Sequence, residues 1–111
     1  MRSISDTRFL VVDDSRLCRL LVKDILSDYG AIVDEAKDGA EAMGKADADV
    51  ILMDIQMPNM NGYEVAKELR KQGSKATIIG LSAFEFDEEQ KEWFNGYIRK
   101  PFSLDNLLKV L

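Results

Sequence analysis

The sequence has no histidine. That removes imidazole acid–base catalysis, and it removes any phosphohistidine carried by this chain itself. There is one cysteine, Cys18, so an intramolecular disulfide is excluded and a reducing cytoplasm is the expected setting. Basic residues form no block, and 15 Lys and Arg stand against 20 Asp and Glu, a net charge of −5. Nucleic acid is therefore not expected as a direct partner. No apolar run approaches the roughly 18 residues that suggest a membrane span. The opening "MRSISDTRF" lacks the apolar centre of a secretory signal, so no membrane association is expected. Repeats, low-complexity tracts and linkers are also missing.

What is present reads as one globular domain. The 111 residues, 46% hydrophobic and 32% charged, are enough to bury a core without disulfides or a structural metal. The expectation is a single domain over residues 1–111, with its core from about residue 8 onward.

Strand and helix signals alternate along the chain. "RFLVVDD" is a short apolar run closed by two aspartates. "SRLCRLLVKDILSDYG" follows as a helix, with Leu17, Leu20, Leu21, Ile25 and Val22 assigned to one face and Gly30 at its stop. "AIVDEA" is a second strand, more polar and so nearer an edge. "KDG" is a turn, and "AEAMGKADA" is a weak helix interrupted by Gly44. "DVILMD" is a third strand buried on both faces. "NGYEVAKELRKQG" is a helix with Tyr63, Val65, Ala66 and Leu69 inward. "ATIIGLSA" is the fourth strand, "DEEQKEWFNG" a short charged helix and "GYIRK" the fifth strand. In "PFSLDNLLKVL", Ser103 caps a helix whose stripe is Leu104, Leu107, Leu108 and Leu111.

Five strands alternating with five helices imply an α/β fold with a parallel sheet. A common order for five strands is 2-1-3-4-5, with helices on both faces and a ligand crevice at the carboxyl ends, between strands one and three. In that order Asp13 and Asp14, which end strand one, converge with Asp54, which ends strand three. Three close carboxylates repel unless a cation shares the site. A hard divalent ion with oxygen ligands fits, and Mg²⁺ is the expected one. Ser82 ends strand four and Lys100 ends strand five, so a hydroxyl and an ammonium share the rim. That set suits a phosphoryl group, with a carboxylate as nucleophile and an acyl phosphate as product.

"VVDDS", "ILMDIQMPNMNGYE", "GLSA" and "YIRKPF", taken in order, resemble the receiver domain of two-component response regulators, the flavodoxin-like, CheY-like fold. The resemblance runs from about Arg8 to Leu111. It implies that Asp54 is the phosphoacceptor and that Asp14 is a direct Mg²⁺ ligand. Asp13 would hold the ion mostly through water, and Gln56 would offer its backbone carbonyl. By the same resemblance Ser82 is the switch hydroxyl, Lys100 contacts the phosphoryl group, Tyr97 is the switch aromatic and Lys100-Pro101 is a cis peptide. The implied partner is a histidine kinase or a histidine phosphotransfer protein. The implied activity is self-catalysed phosphorylation and dephosphorylation of a switch, not metabolic catalysis.

Three departures from the family pattern stand out. Ser82 replaces the commoner threonine, Asn61 stands where many receivers have Asp, and the segment between Ser82 and Lys100 is short. The fourth helix is therefore expected to be cut to about two turns, from Asp87 to Phe94, and to be weakly protected. Partner docking is expected to lean on helix one, through Leu17, Cys18 and Leu21. A receiver-fold module that is never phosphorylated is the alternative, and the acidic triad with Ser82 and Lys100 argues against it. An aspartyl-phosphate hydrolase would need a D-x-D motif after strand one, where this chain has adjacent aspartates.

Overall fold

The run Phe9-Leu10-Val11-Val12 offers no polar face, so as a strand it is stable only with both faces covered. In the computed structural model, which describes residues 4–57, 60–86 and 88–111, this run is β1 (Arg8–Val12). Phe9 and Val11 enter one core and Leu10 and Val12 the other, on opposite faces of the sheet. β1 is flanked by β2 (Ile32–Ala36) and β3 (Val50–Asp54). β6 (Thr77–Ser82) and β7 (Gly96–Arg99) complete a five-stranded sheet of order β2-β1-β3-β6-β7. All its pairs are parallel. Counting these strands alone, the order is 2-1-3-4-5. Two further strands, β4 (Gln56–Met57) and β5 (Met60–Asn61), form a small antiparallel ladder after β3 that the sequence reading did not include.

Helices cover both faces. α1 (Arg16–Ser27) and α4 (Leu104–Val110) pack Val22, Leu26 and Leu107 against the Phe9 and Val11 side. α2 (Gly39–Met43) and α3 (Gly62–Lys71) pack Ala42, Val65, Ala66 and Leu69 against the Leu10 and Val12 side. Each helix starts at a polar cap. Ser15, Asp38, Asn61 and Ser103 accept from the backbone N–H three residues on, satisfying a donor the helix cannot. Asn61 caps α3 as an aspartate would, so that departure leaves the helix start intact. α1 and α3 are followed by Gly30 and Gly73, both with positive φ, where a side chain would be strained. α2 ends at Gly44, shorter than its sequence pattern.

Two expectations need correction. The first is the buried face of α1. Leu17, Leu20 and Leu21 are exposed, and the buried residues are Val22 and Leu26, with Cys18 and Ile25 partly covered. The helix carries two apolar stripes at i, i+3, i+4 spacing, and periodicity alone does not say which meets the sheet. Polar anchors decide it: Arg19, on the inward side, bonds to Asp13 and Glu35.

The second is the fourth helix. Its described part is a 3-10 helix, Glu88–Trp93, so the fold has four α-helices and one 3-10 helix among the described residues. Asp87, and Pro58 of the Met57-Pro58 turn, lie outside the described residues. A 3-10 helix rises about 2.0 Å per residue against 1.5 Å for an α-helix, so a short connection covers more distance in that form. Its far end is tied down. Arg70 donates to the carbonyls of Trp93, Ser74 and Ala76 and to Asn95 Oδ1. Asn95 in turn exchanges two hydrogen bonds with the Ile78 backbone, of 2.8 and 2.9 Å. These extend the β6–β7 pairing by one step.

Candidate functional site

The carboxyl edge of the sheet is where the chain leaves β1, β3, β6 and β7. Asp13 follows β1, Asp54 ends β3, Ser82 ends β6 and Lys100 follows β7. Neighbouring strands bring these residues together. Asp54 sits opposite Leu81 in the β3–β6 register, and Ser82 sits opposite Arg99 in β6–β7. The Ile55 N–H donates to the Leu81 carbonyl at 2.9 Å, and the Lys100 N–H donates to the Ser82 carbonyl at 2.8 Å. These bonds continue the pairing past the strand ends and fix both loops to the tip of β6.

Carboxylate oxygens of Asp13, Asp14 and Asp54 all lie within 4.8 Å of one another. Asp13 is 3% exposed and Asp54 2%, whereas Asp14 faces solvent. Lys100 Nζ reaches between the buried pair, 3.4 Å from Asp54 Oδ1 and 3.5 Å from Asp13 Oδ2. Three carboxylates against one ammonium leave two uncompensated negative charges. Burial first, and the charge of Asp13 second, push the Asp54 carboxyl up to about 6, against the opposing pull of the Gln56 N–H and Lys100. Burial alone would lower the pKa of Lys100, but the charges of Asp13 and Asp54 outweigh it and hold that pKa above the ordinary lysine value. Oxygen donors carrying a residual charge of two, in a partly dry crevice, fit a hard divalent cation.

The loop after Asp54 is shaped for close approach. The Gln56 N–H donates to Asp54 Oδ1 at 3.1 Å. A Cβ on Gly62 would overlap the Asp54 carbonyl oxygen and lie 2.8 Å from Ile55 Cα, so only glycine lets α3 start this close to the end of β3. An open cleft of about 600 Å³, lined by Asp14, Gln56, Met57, Asn61 and Tyr63, leads to this side of the site. On the other side an apolar groove of about 200 Å³ runs between α1 and the Pro101 loop. Asp13, Cys18, Leu21, Lys100, Pro101 and Phe102 are among its walls. The Lys100-Pro101 peptide is cis.

Ser82 is 1% exposed, and its Oγ accepts from the Phe84 N–H at 3.0 Å, which leaves its own O–H free to donate elsewhere. Tyr97 lies behind Ser82 on β7. Its ring covers Gly80, where a Cβ would come within 2.9 Å of it. The ring packs at a tilt against those of Phe86 and Phe94, at centroid distances of 4.2 and 5.2 Å. Its hydroxyl is buried with no hydrogen-bond partner among the described residues, and burial pushes the phenol well above its usual range. The sequence reading did not single out Arg19, which donates to the Asp13 carbonyl. The available signal was a basic residue four positions after the helix cap Ser15, on the face that meets the sheet.

The strand order and helical layers place the chain in the flavodoxin-like class, whose ligands sit beyond the carboxyl edge of the sheet. The sequence model of the response regulator receiver domain matches residues 9–111, and the chain belongs to that family. It is 38% identical over 105 residues to the sensor protein EvgS of Escherichia coli K12, covering 88% of this chain and 9% of that protein. It is 34% identical to the chemotaxis protein CheY of Halobacterium salinarum, covering 92% of this chain and 91% of that one. The chain thus spans a small part of the sensor proteins it matches and nearly all of the chemotaxis protein. Among solved structures, Thermotoga maritima TrrA in complex with Mg²⁺-BeF has a TM-score of 0.84 at 35% identity, covering 93% of this chain and 94% of that one. TrrA in complex with the histidine kinase ThkA gives 0.82 at 36% identity, covering 93% of each. Receiver domains of this family act in two-component signalling and interact with histidine kinases. No helix among the described residues is long and apolar enough to cross a membrane.

Proposed function

We propose that residues 1–111 work as one phosphoacceptor switch, taking a phosphoryl group onto Asp54 from a phosphohistidine of a kinase or phosphotransfer protein. The observation that carries this reading is the setting of Asp54: a carboxylate buried at a strand tip, 3.4 Å from Lys100 Nζ and clustered with two other carboxylates. An Asp54 carboxylate oxygen attacks phosphorus, and the phosphorus–nitrogen bond breaks with its electron pair returning to the donor imidazole. A divalent ion, Mg²⁺ by analogy with TrrA, held by Asp13, Asp14, Asp54 and the Gln56 carbonyl, would supply positive charge to the phosphoryl oxygens. Lys100 supplies a second positive charge from the far side, and the Ser82 O–H donates to a phosphoryl oxygen.

The acyl phosphate changes what Ser82 and Lys100 are bonded to, and so biases a two-state equilibrium in the β6–β7 region. Tyr97 is the readout, because its buried hydroxyl gains nothing where it now sits. The phosphodonor docks on the outer face of α1, where Leu17 and Leu21 are 68% and 55% exposed beside the groove under Pro101. That placement suits an amphipathic helix of a kinase or phosphotransfer partner.

The test is labelling by acetyl phosphate in Mg²⁺. The wild type should acquire one acid-stable, base-labile phosphoryl group, and Asp54→Asn should acquire none. Wild-type labelling of Asp54→Asn, mapped to another residue, overturns the assignment.

A further inference from the structure

We propose that Arg19 is a positioning residue for the divalent-ion site, holding the Asp13–Asp14 peptide so that the two carboxylates converge on Asp54. The proposal rests on the reading of that cluster as a cation site. When β1 ends, the Asp13 N–H still bonds to the Ala36 carbonyl at 3.1 Å, but the Asp13 carbonyl has left the ladder and needs another partner. Arg19 Nη1 supplies it at 2.7 Å. Nε of the same guanidinium donates to Glu35 Oε1 at 3.1 Å, and the other Glu35 oxygen meets Lys23 Nζ at 3.5 Å. The Arg19 side chain is 14% exposed, and its guanidinium is fixed from both sides.

The consequence lies in the peptide plane. The Asp13 carbonyl and the Asp14 nitrogen belong to one rigid unit, so fixing that oxygen fixes the direction in which Asp14 leaves the strand. The carboxylate of Asp13 has its own restraints: the Ser15 N–H at 2.9 Å on Oδ1 and Lys100 on Oδ2. Asp14 has none of its own among the described residues. Its aim into the site depends on the peptide that Arg19 holds, and through Arg19 on Glu35 of β2. Lysine reproduces this geometry only in part, because Arg19 meets its two acceptors with two nitrogens of one planar fork, and lysine must reach both from a single nitrogen.

The experiment is a titration of the full chain with Mg²⁺ alone, followed by calorimetry and by backbone amide shifts, with urea unfolding run in parallel. Arg19→Ala should weaken Mg²⁺ on the order of tenfold, the usual effect of removing a group that orients a metal ligand. The Asp14 amide should also lose rigidity in ¹⁵N relaxation. Arg19→Lys should recover part of the affinity. Glu35→Gln should lose less than Arg19→Ala, and should add nothing to it in the double variant, because Glu35 acts through Arg19. A purely structural role would lower the urea midpoint while leaving Mg²⁺ affinity and the Asp14 amide as in the wild type, and that result overturns the proposal. If Arg19→Ala does not fold, Arg19→Lys and Glu35→Gln carry the test, and unchanged affinity in both overturns it. A wild type that binds no Mg²⁺ at millimolar concentration overturns the cation site itself, and this proposal with it.

Discussion

Replacing Asp54 by asparagine should make the metal-free protein more stable at neutral pH, because its carboxylate is held where a charge is unwelcome. Its pKa is raised from 3.8 to about 6, by burial and then by Asp13. Between those values the folded state binds more protons than the unfolded state, so the contribution of Asp54 to stability falls as pH rises from about 4 to about 6. At roughly 1.4 kcal/mol per pH unit, the ionised group costs about 3 kcal/mol at pH 7. Asparagine carries no charge, and its side-chain oxygen can still accept from the Gln56 N–H. The ion pair with Lys100 that the variant gives up is already counted in the raised pKa, and Lys100 keeps Asp13. A net gain of about 3 kcal/mol follows, or on the order of 12 °C in Tm for a chain of this size.

The assay is urea unfolding of both proteins in EDTA at pH 4, 5, 6 and 7. The difference should be small at pH 4, where Asp54 is protonated in the folded state and only about half ionised in the unfolded one, and should open through pH 5 and 6 and level off by pH 7. Saturating Mg²⁺ should then narrow it, because an ion neutralises the same charge in the wild type alone. A difference independent of pH, or no gain at pH 7, would refute the argument that Asp54 is under electrostatic strain.

The remaining expectations concern its neighbours. Mg²⁺ should raise Tm by mass action, and more so with beryllofluoride present; Asp14→Ala should abolish the effect in scanning calorimetry. Lys100→Ala should still accept label from acetyl phosphate, but beryllofluoride should no longer shift the amides near Ser82 and Tyr97. Ser82→Ala should weaken those shifts while leaving Mg²⁺ affinity unchanged, and wild-type shifts in both variants would refute the two roles. Tyr97→Phe removes a buried hydroxyl that has no partner among the described residues, and since such a group costs about 1–3 kcal/mol, the variant should unfold at a higher urea concentration than the wild type.

Much of the architecture was legible because the strands announce themselves. The runs ending at Asp13, Asp54 and Ser82 are apolar on both faces, which is stable only inside a layered α/β sheet, and their polar ends mark the rim where the loops begin. Asp13, Asp14, Asp54, Ser82 and Lys100 share that rim because parallel strands all point their carboxyl ends the same way. A strand order therefore locates the candidate site before any side chain is placed. The inward faces of α3 and α4 were legible too, since Val65, Ala66 and Leu69, and Leu107, fall on single apolar stripes with polar residues opposite.

The misreadings share a cause. In α1 the outer stripe of Leu17, Leu20 and Leu21 is as apolar as the inner one, so hydrophobic periodicity gave no orientation. What turns the helix is Arg19, whose guanidinium must reach both the end of β1 and the side of β2. In the connection to β7 the charged pattern of "DEEQKEW" suits an α-helix, but Arg70 and Asn95 bind its far end to α3 and Ile78, and the remaining length favours the tighter 3-10 turn. In both places polar side chains override the local sequence pattern, because a buried carbonyl left without a donor costs more than a helix face turned to water. The same comparison explains why the site tolerates Asp54. Its charge is a cost to the fold that Lys100 offsets only in part, and the remainder makes the crevice receptive to a cation and, on the function proposed above, makes Asp54 sensitive to the arrival of a phosphoryl group.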